Sequence, residues 1–165
     1  MDTQHLPTRK PTRLQGYDYS ENGAYFVTVC TENRQKILST VVGGGALDAP
    51  TIQLTNVGKI AERYLLSTNN IESVSIDRYV IMPDHIHFIV FIKKNPDNGT
   101  SKAPSPTNQM IPHIVSTFKR FCHRAIGCTI FQRSYYDHII RSNEDYLEKV
   151  AYIEQNPAKW WERHT

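Results

Sequence analysis

The stretch IMPDHIHFIV, residues 81 to 90, constrains this chain more than any other. Apart from its histidines it supplies Ile81, Met82, Ile86, Phe88, Ile89 and Val90, which is core material for a sheet. Pro83 and Asp84 break the run where a tight antiparallel turn would join two strands, 74 to 82 and 84 to 92. Side chains alternate along a strand, so His85 and His87 project from the same face. Neutral imidazoles bind divalent metals, and such a pair on a rigid strand can present two nitrogens to one ion. The same pattern also fits two unrelated histidines, one satisfied by a backbone carbonyl. Two ligands alone leave an ion under-coordinated, so a third must come from elsewhere.

The rest of the hydrophobic pattern sets the fold class. GAYFVTVCTEN, from Gly23, alternates Tyr25, Val27 and Val29 against Phe26, Thr28 and Cys30, which is a strand. The GGG at 43 to 45 marks a loop, and APTIQL reads as an irregular or edge strand. LTNVGKIAERYLLS carries Val57, Ile60, Ala61 and Leu65 at helical spacing behind a Thr55 N-cap. MIPHIVSTFKRFCHRAI is a second helix with Ile111, Ile114, Phe118 and Cys122 inward, and TIFQRSYYDHIIR a further strand. NEDYLEKVAYIEQN is a last helix, starting near Ser142 with Glu144 and Asp145 in its first turn and expected to end at Pro157. The order β, α, β, β, α, β, α predicts an α+β fold, an antiparallel sheet with helices packed on it. Its 165 residues suit one domain at 16 to 161, with a flexible arm at 1 to 15, an internal loop at 94 to 108 and a short tail at 162 to 165.

Composition removes several function classes. No apolar run approaches the roughly 20 residues of a membrane helix, and the first fifteen residues are polar and basic, unlike a signal segment. Cys30, Cys122 and Cys128 fit neither a disulfide framework nor a CxxC zinc site, which points to a reducing cytoplasm. A net charge of +3 permits nucleic-acid binding without requiring it. Two basic groups are candidates for it: Arg9, Lys10 and Arg13 on the arm, and Lys119, Arg120, His123 and Arg124 on the second helix. A solvated tail and a wet helix face account for the same residues.

On the last helix Tyr152 and Asn156 stand four apart, on one face. An amide oxygen is a hard ligand suited to Mg or Mn, and a phenol is a nucleophile once it loses its proton. With Leu147, Val150 and Ile153 nearby, Tyr152 also fits a buried aromatic. Tyr146 brings no ligand one turn on, and the neighbours Tyr135 and Tyr136 point opposite ways. Asp84 and Asp137 are candidates to orient the imidazoles. His138 could touch the site or the DNA or, as the favoured reading, accept a core hydrogen bond; Trp160 and Trp161 are expected to close the apolar face of the helix, with base stacking as the alternative.

Three stretches, RLQGYDYSENGAYFVTVCTENR (13 to 34), RYVIMPDHIHFIVFI (78 to 92) and RSYYDHIIRSNEDYLEKVAYIEQNPAKWW (133 to 161), resemble in this order the single-tyrosine HUH transposases, nearest the REP-associated tyrosine transposases. The resemblance implies a ferredoxin- or RRM-like HUH endonuclease fold. It assigns His85 and His87 to the metal, with Ile86 the bulky apolar residue between them, and Asn156 to completing the metal site. Tyr152 becomes the nucleophile. Such enzymes use a divalent metal, Mg or Mn, to cut and rejoin single-stranded DNA near hairpins through a 5′-phosphotyrosine. Both monomers and helix-exchanging homodimers occur among them, and the sequence leaves that choice open. Two other readings remain: a catalytically silent single-stranded nucleic-acid-binding module, and a metal-dependent phosphodiesterase that uses water.

Overall fold

A computed structural model describes residues 23–43, 47–93 and 110–165. The expected arm, with Arg9, Lys10 and Arg13, and the expected loop at 94–108 lie outside the described residues. The elements run β1 (Gly23–Cys30), β2 (Ser39–Val42), β3 (Thr51–Leu54), α1 (Asn56–Ser67), β4 (Val74–Ile81), β5 (His85–Ile92), α2 (Met110–Ile126), β6 (Tyr136–Ile140) and α3 (Asn143–His164). Four strands form one sheet in the order β4-β5-β1-β6, with every neighbour antiparallel.

Alternation along the two central strands sorts their side chains into two cores. Tyr25, Val27 and Val29 of β1 join Ile86, Phe88 and Val90 of β5 beneath α1 and α2, where Ala61, Leu65, Ile111, Ile114 and Phe118 meet them. The opposite face carries Ala24, Phe26, Ile89 and Ile140, and is covered by α3 through Ile153. His85 and His87 lie on this second face, because they are in phase with Ile89. The Thr55 hydroxyl caps α1 by accepting from Gly58 N. Gly58 sits so close to the Leu38 carbonyl that any Cβ there would collide with backbone.

Four expectations are corrected. Pro157 does not end the last helix, which runs on to His164. The missing proline N–H and its clash with the preceding turn cost about 3 kcal/mol, and tertiary packing holds the last turns regardless. Trp160 packs on the α3-side core, and Trp161 lies where a Cβ on Gly43 would fall. Ser39–Val42 is a strand that sequence reading passed over; it pairs with β3, so APTIQL contributes to an ordered two-stranded ribbon.

The strand expected over TIFQRSYYDHIIR shrinks to Tyr136–Ile140, preceded by an isolated bridge between Thr31 and Phe131. Lys119 explains the loss. Its ammonium donates to the carbonyls of Gln132, Arg133 and Ser134 at 2.6, 3.2 and 3.1 Å, which draws that stretch out of the sheet ladder. Lys119 is therefore buried and does not belong to a solvent-facing basic face, whereas Arg120 beside it is exposed. Among the described residues no helix is long and apolar enough to cross a membrane.

Candidate active site

The turn between β4 and β5 places Asp84 directly before the first histidine, and β1 runs antiparallel alongside, with Cys30 opposite His85 and Thr28 opposite His87. Both imidazoles are buried, their ring centroids 4.5 Å apart. Each has its Nδ1 engaged by a different partner. His85 Nδ1 lies 2.6 Å from Asp84 Oδ1, and His87 Nδ1 lies 2.7 Å from the Thr28 hydroxyl. A carboxylate can only accept, so Asp84 holds the proton on His85 Nδ1 and leaves the lone pair on Nε2.

Asp84 is itself buried and is held from behind by Arg34, whose Nε stands 3.3 Å from Oδ2. Asn33 and Arg34 adopt the left-handed conformation, φ 52° and 54°. For arginine this costs about 1–2 kcal/mol, and it folds the chain after β1 back toward the site. Of the two carboxylates considered for orienting the imidazoles, Asp84 does so. Asp137 pairs with Val27 in the sheet register and faces the α1–α2 side.

Burial lowers the pKa of both histidines. That effect outweighs the opposing influence of Asp84 on His85, and with the neighbouring His85 and Arg34 it brings His87 down to about 3. Both rings are thus neutral near pH 7, the form that ligates metal. His87 Nε2 is buried without a hydrogen-bond partner. An orphaned buried nitrogen costs about 1–3 kcal/mol, and a cation would satisfy it.

α3 brings the remaining groups. Its start is fixed by Ser142, which accepts from Asp145 N, and by Asp145 Oδ2, which accepts from His138 Nε2 at 2.8 Å. His138 is thus a structural tie between β6 and α3: half-buried, it donates to a helix carboxylate rather than accepting a hydrogen bond in the core. Tyr146 donates to Asp77 at 2.6 Å and anchors the same helix to β4. So fastened, α3 buries Asn156 beside His85, its amide nitrogen donating to the Tyr152 carbonyl at 3.3 Å.

Tyr152 lies one turn earlier, its ring centroid 5.2 Å from that of His87, and it is 42% exposed. The sequence-predicted set of His85, His87, Tyr152 and Asn156 is therefore brought together within one chain. Among the described residues no cluster of three or more His, Cys, Asp or Glu could hold a metal. Two imidazoles and an amide oxygen would be the donors available to a divalent cation such as Mg or Mn, with positions left for substrate oxygens.

These groups open on a cavity of about 400 Å³ that is also lined by Arg34, Lys36, Lys159, Trp160 and Arg163. Sequence reasoning missed these cations. Arg34 and Lys36 follow β1 in an ordinary TENRQK run, and Lys159 and Arg163 lie beyond the proline expected to stop the helix. The one available signal was the i, i+4 spacing of Lys159 and Arg163. Trp160 has its ring centroid 6.1 Å from His85, so closing the helix face and walling the cavity are one task for it.

No family model matches the chain. It is 30% identical to an uncharacterized protein of Haemophilus influenzae, over 92% of this chain and 89% of that one. It is 24% identical to the REP-associated tyrosine transposase of Escherichia coli K12, over 86% of this chain and 70% of that protein. Its fold is similar to a solved structure of a REP-associated tyrosine transposase bound to a REP hairpin, with a TM-score of 0.63 and 21% identity, covering 89% of this chain and 73% of the other. Along most of its length the chain is thus similar in sequence to REP-associated tyrosine transposases, and it carries an antiparallel sheet of the same architecture as the solved one.

Proposed function

We propose that the protein is a metal-dependent single-stranded DNA endonuclease and strand-transfer enzyme that works through a 5′-phosphotyrosine. The observation that carries this reading is a half-exposed phenol, Tyr152, beside a buried neutral imidazole, His87, whose Nε2 has no partner. His85, His87 and Asn156 would hold Mg or Mn, which supplies polarisation of the scissile phosphate and stabilisation of its developing charge.

The chain's own residues account for the rest. The Tyr152 oxygen attacks phosphorus, the P–O3′ bond breaks, and the 3′ oxygen leaves as a hydroxyl while the phenol gives up its proton. One phosphodiester replaces another, so a second 3′ hydroxyl can reverse the step on a new partner. Lys159, with its ammonium 5.6 Å from the Tyr152 ring, sits where it can balance phosphate charge, and Arg34, Lys36 and Arg163 line the path of a strand. Arg9, Lys10, Arg13 and Arg120 are proposed as further DNA contacts, and single-stranded or hairpin DNA as the substrate, which agrees with the hairpin carried by the structural relative. Because one chain supplies every group, this reading needs no exchange of helices between protomers.

The test is incubation with labelled hairpin oligonucleotides and Mn²⁺, followed by a denaturing gel. A covalent protein–DNA band from the wild type that is absent from Tyr152→Phe is expected, with binding nearly unchanged. Cleavage without a band would favour the water-using phosphodiesterase, and a shift seen only under native conditions the silent binding module.

A further inference from the structure

A second recess adjoins the first and differs from it chemically. About 270 Å³ in volume, it is lined by Phe26, Thr28, His87, Tyr136, Lys149 and Tyr152. Thr28, His87 and Tyr152 belong to both cavities, so Tyr152 stands on the ridge between them. On one side lie Arg34, Lys36, Lys159 and Arg163; on the other the lining is mostly aromatic, with Lys149 its one lysine or arginine among the described residues. Phe26 is the floor: it is buried, stacked against His87 at 5.2 Å between centroids, and edge-on to Tyr152 at 5.8 Å.

Tyr136 is the wall. It opens β6 directly opposite Thr28, on the same face as the histidine pair, and is 49% exposed. Its exposed ring lies beside Tyr152, where it offers a π face for stacking. Lys149, three residues before Tyr152 on α3, extends its ammonium to 5.5 Å above the Phe26 ring, toward an electron-rich or anionic occupant.

From this geometry we infer that the recess of Phe26, Tyr136 and Lys149 is a nucleobase subsite, taking the unpaired base next to the scissile phosphate and stacking it on Tyr136. The inference rests on the strand-transfer reading of the same site. A strand that lays its phosphate before Tyr152 must send the neighbouring nucleoside to one side of that ridge. The basic cavity suits the continuing phosphodiester backbone. The aromatic one suits a base, because every base has a π face. Lys149 then meets a base carbonyl or the adjoining phosphate.

The experiment uses the full chain. Hairpin oligonucleotides with randomised single-stranded flanks are cut with Mn²⁺, the cut position is read from the adducts, and an abasic residue is placed on either side of it. Removing the base on one side is expected to slow wild-type adduct formation roughly 5- to 150-fold, the range that stacking of one base corresponds to. Tyr136→Ala should slow the intact substrate by a similar factor and add nothing on that abasic substrate, while Tyr136→Phe keeps wild-type behaviour. Equal slowing of intact and abasic substrates by Tyr136→Ala, or no slowing at all, would overturn the subsite alone. Failure of the wild type to form adducts with any hairpin would overturn the strand-transfer reading, and the subsite with it.

Discussion

Replacing Asp84 by Asn tests whether the buried carboxylate prepares the imidazole pair for a cation. Asp84 Oδ1 lies 2.6 Å from His85 Nδ1 and Oδ2 lies 3.3 Å from Arg34 Nε. As a carboxylate it fixes the proton on Nδ1; an amide in its place can turn either its oxygen or its NH₂ toward the ring and no longer selects the tautomer. Loss of such a supporting carboxylate typically weakens metal binding 10- to 100-fold, or about 1.4–2.7 kcal/mol.

Stability should change less. At an effective dielectric of about 20 the Arg34–Asp84 attraction at this separation amounts to roughly 5 kcal/mol gross. Half of the Arg34 side chain is in water, 50% exposed, which reduces the net effect to about 1 kcal/mol or below. For a chain of this size that is a fall in Tm of about 2–4 °C. Mn²⁺ calorimetry on folded protein should show the 10- to 100-fold loss, and raising Mn²⁺ should restore adduct formation. Asp137→Asn, on the opposite sheet face, is the control and should leave Mn²⁺ affinity within about twofold. Unchanged affinity in Asp84→Asn, or no rescue by excess Mn²⁺, would refute the orienting role.

Other outcomes follow from the same contacts. Lys119→Ala leaves three carbonyls without their donor and should cost about 2–4 kcal/mol in urea unfolding, while the salt dependence of DNA binding stays as in the wild type; a reduced salt slope would return Lys119 to the DNA surface. Gly58→Ala drives a methyl into the Leu38 carbonyl and should destabilise by about 2 kcal/mol or more, read from the same unfolding curves. For the metal-free protein, the His87 pKa is lowered by burial from 6.5 in the unfolded chain to about 3 in the folded one. The unfolded state therefore binds more protons between these values, so stability is full above pH 6.5 and declines as pH falls, by up to ~5 kcal/mol near pH 3. His87→Gln should flatten that decline in chemical denaturation, and an equally steep curve would count against burial of a neutral ring.

Periodicity was enough for much of this molecule. The alternation in β1 and β5 separates two apolar faces, and the Thr55 and Ser142 caps mark helix starts within their own segments. It also put His85 beside His87, and Tyr152 beside Asn156, because faces of strands and helices are local geometry.

Where local rules failed, a distant group had overruled them. Pro157 is a helix stop by its own chemistry, yet α3 continues because Trp160 and Trp161 find packing on residues far earlier in the chain. Lys119 belongs by pattern to a basic helix face, until three carbonyls of the segment before β6 converge on its ammonium. The strand Ser39–Val42 lacks the length to announce itself and forms only against β3.

The sequence alone thus determined which residues lie on each face of an element, since that follows from backbone repeat and needs no partner. Only the tertiary structure decided which faces meet. The sheet order β4-β5-β1-β6 and the anchoring of α3 by His138–Asp145 and Tyr146–Asp77 carry Tyr152 to His87, and Arg34 back to Asp84. Those encounters depend on burying apolar surface across the whole chain, a sum that no single segment contains.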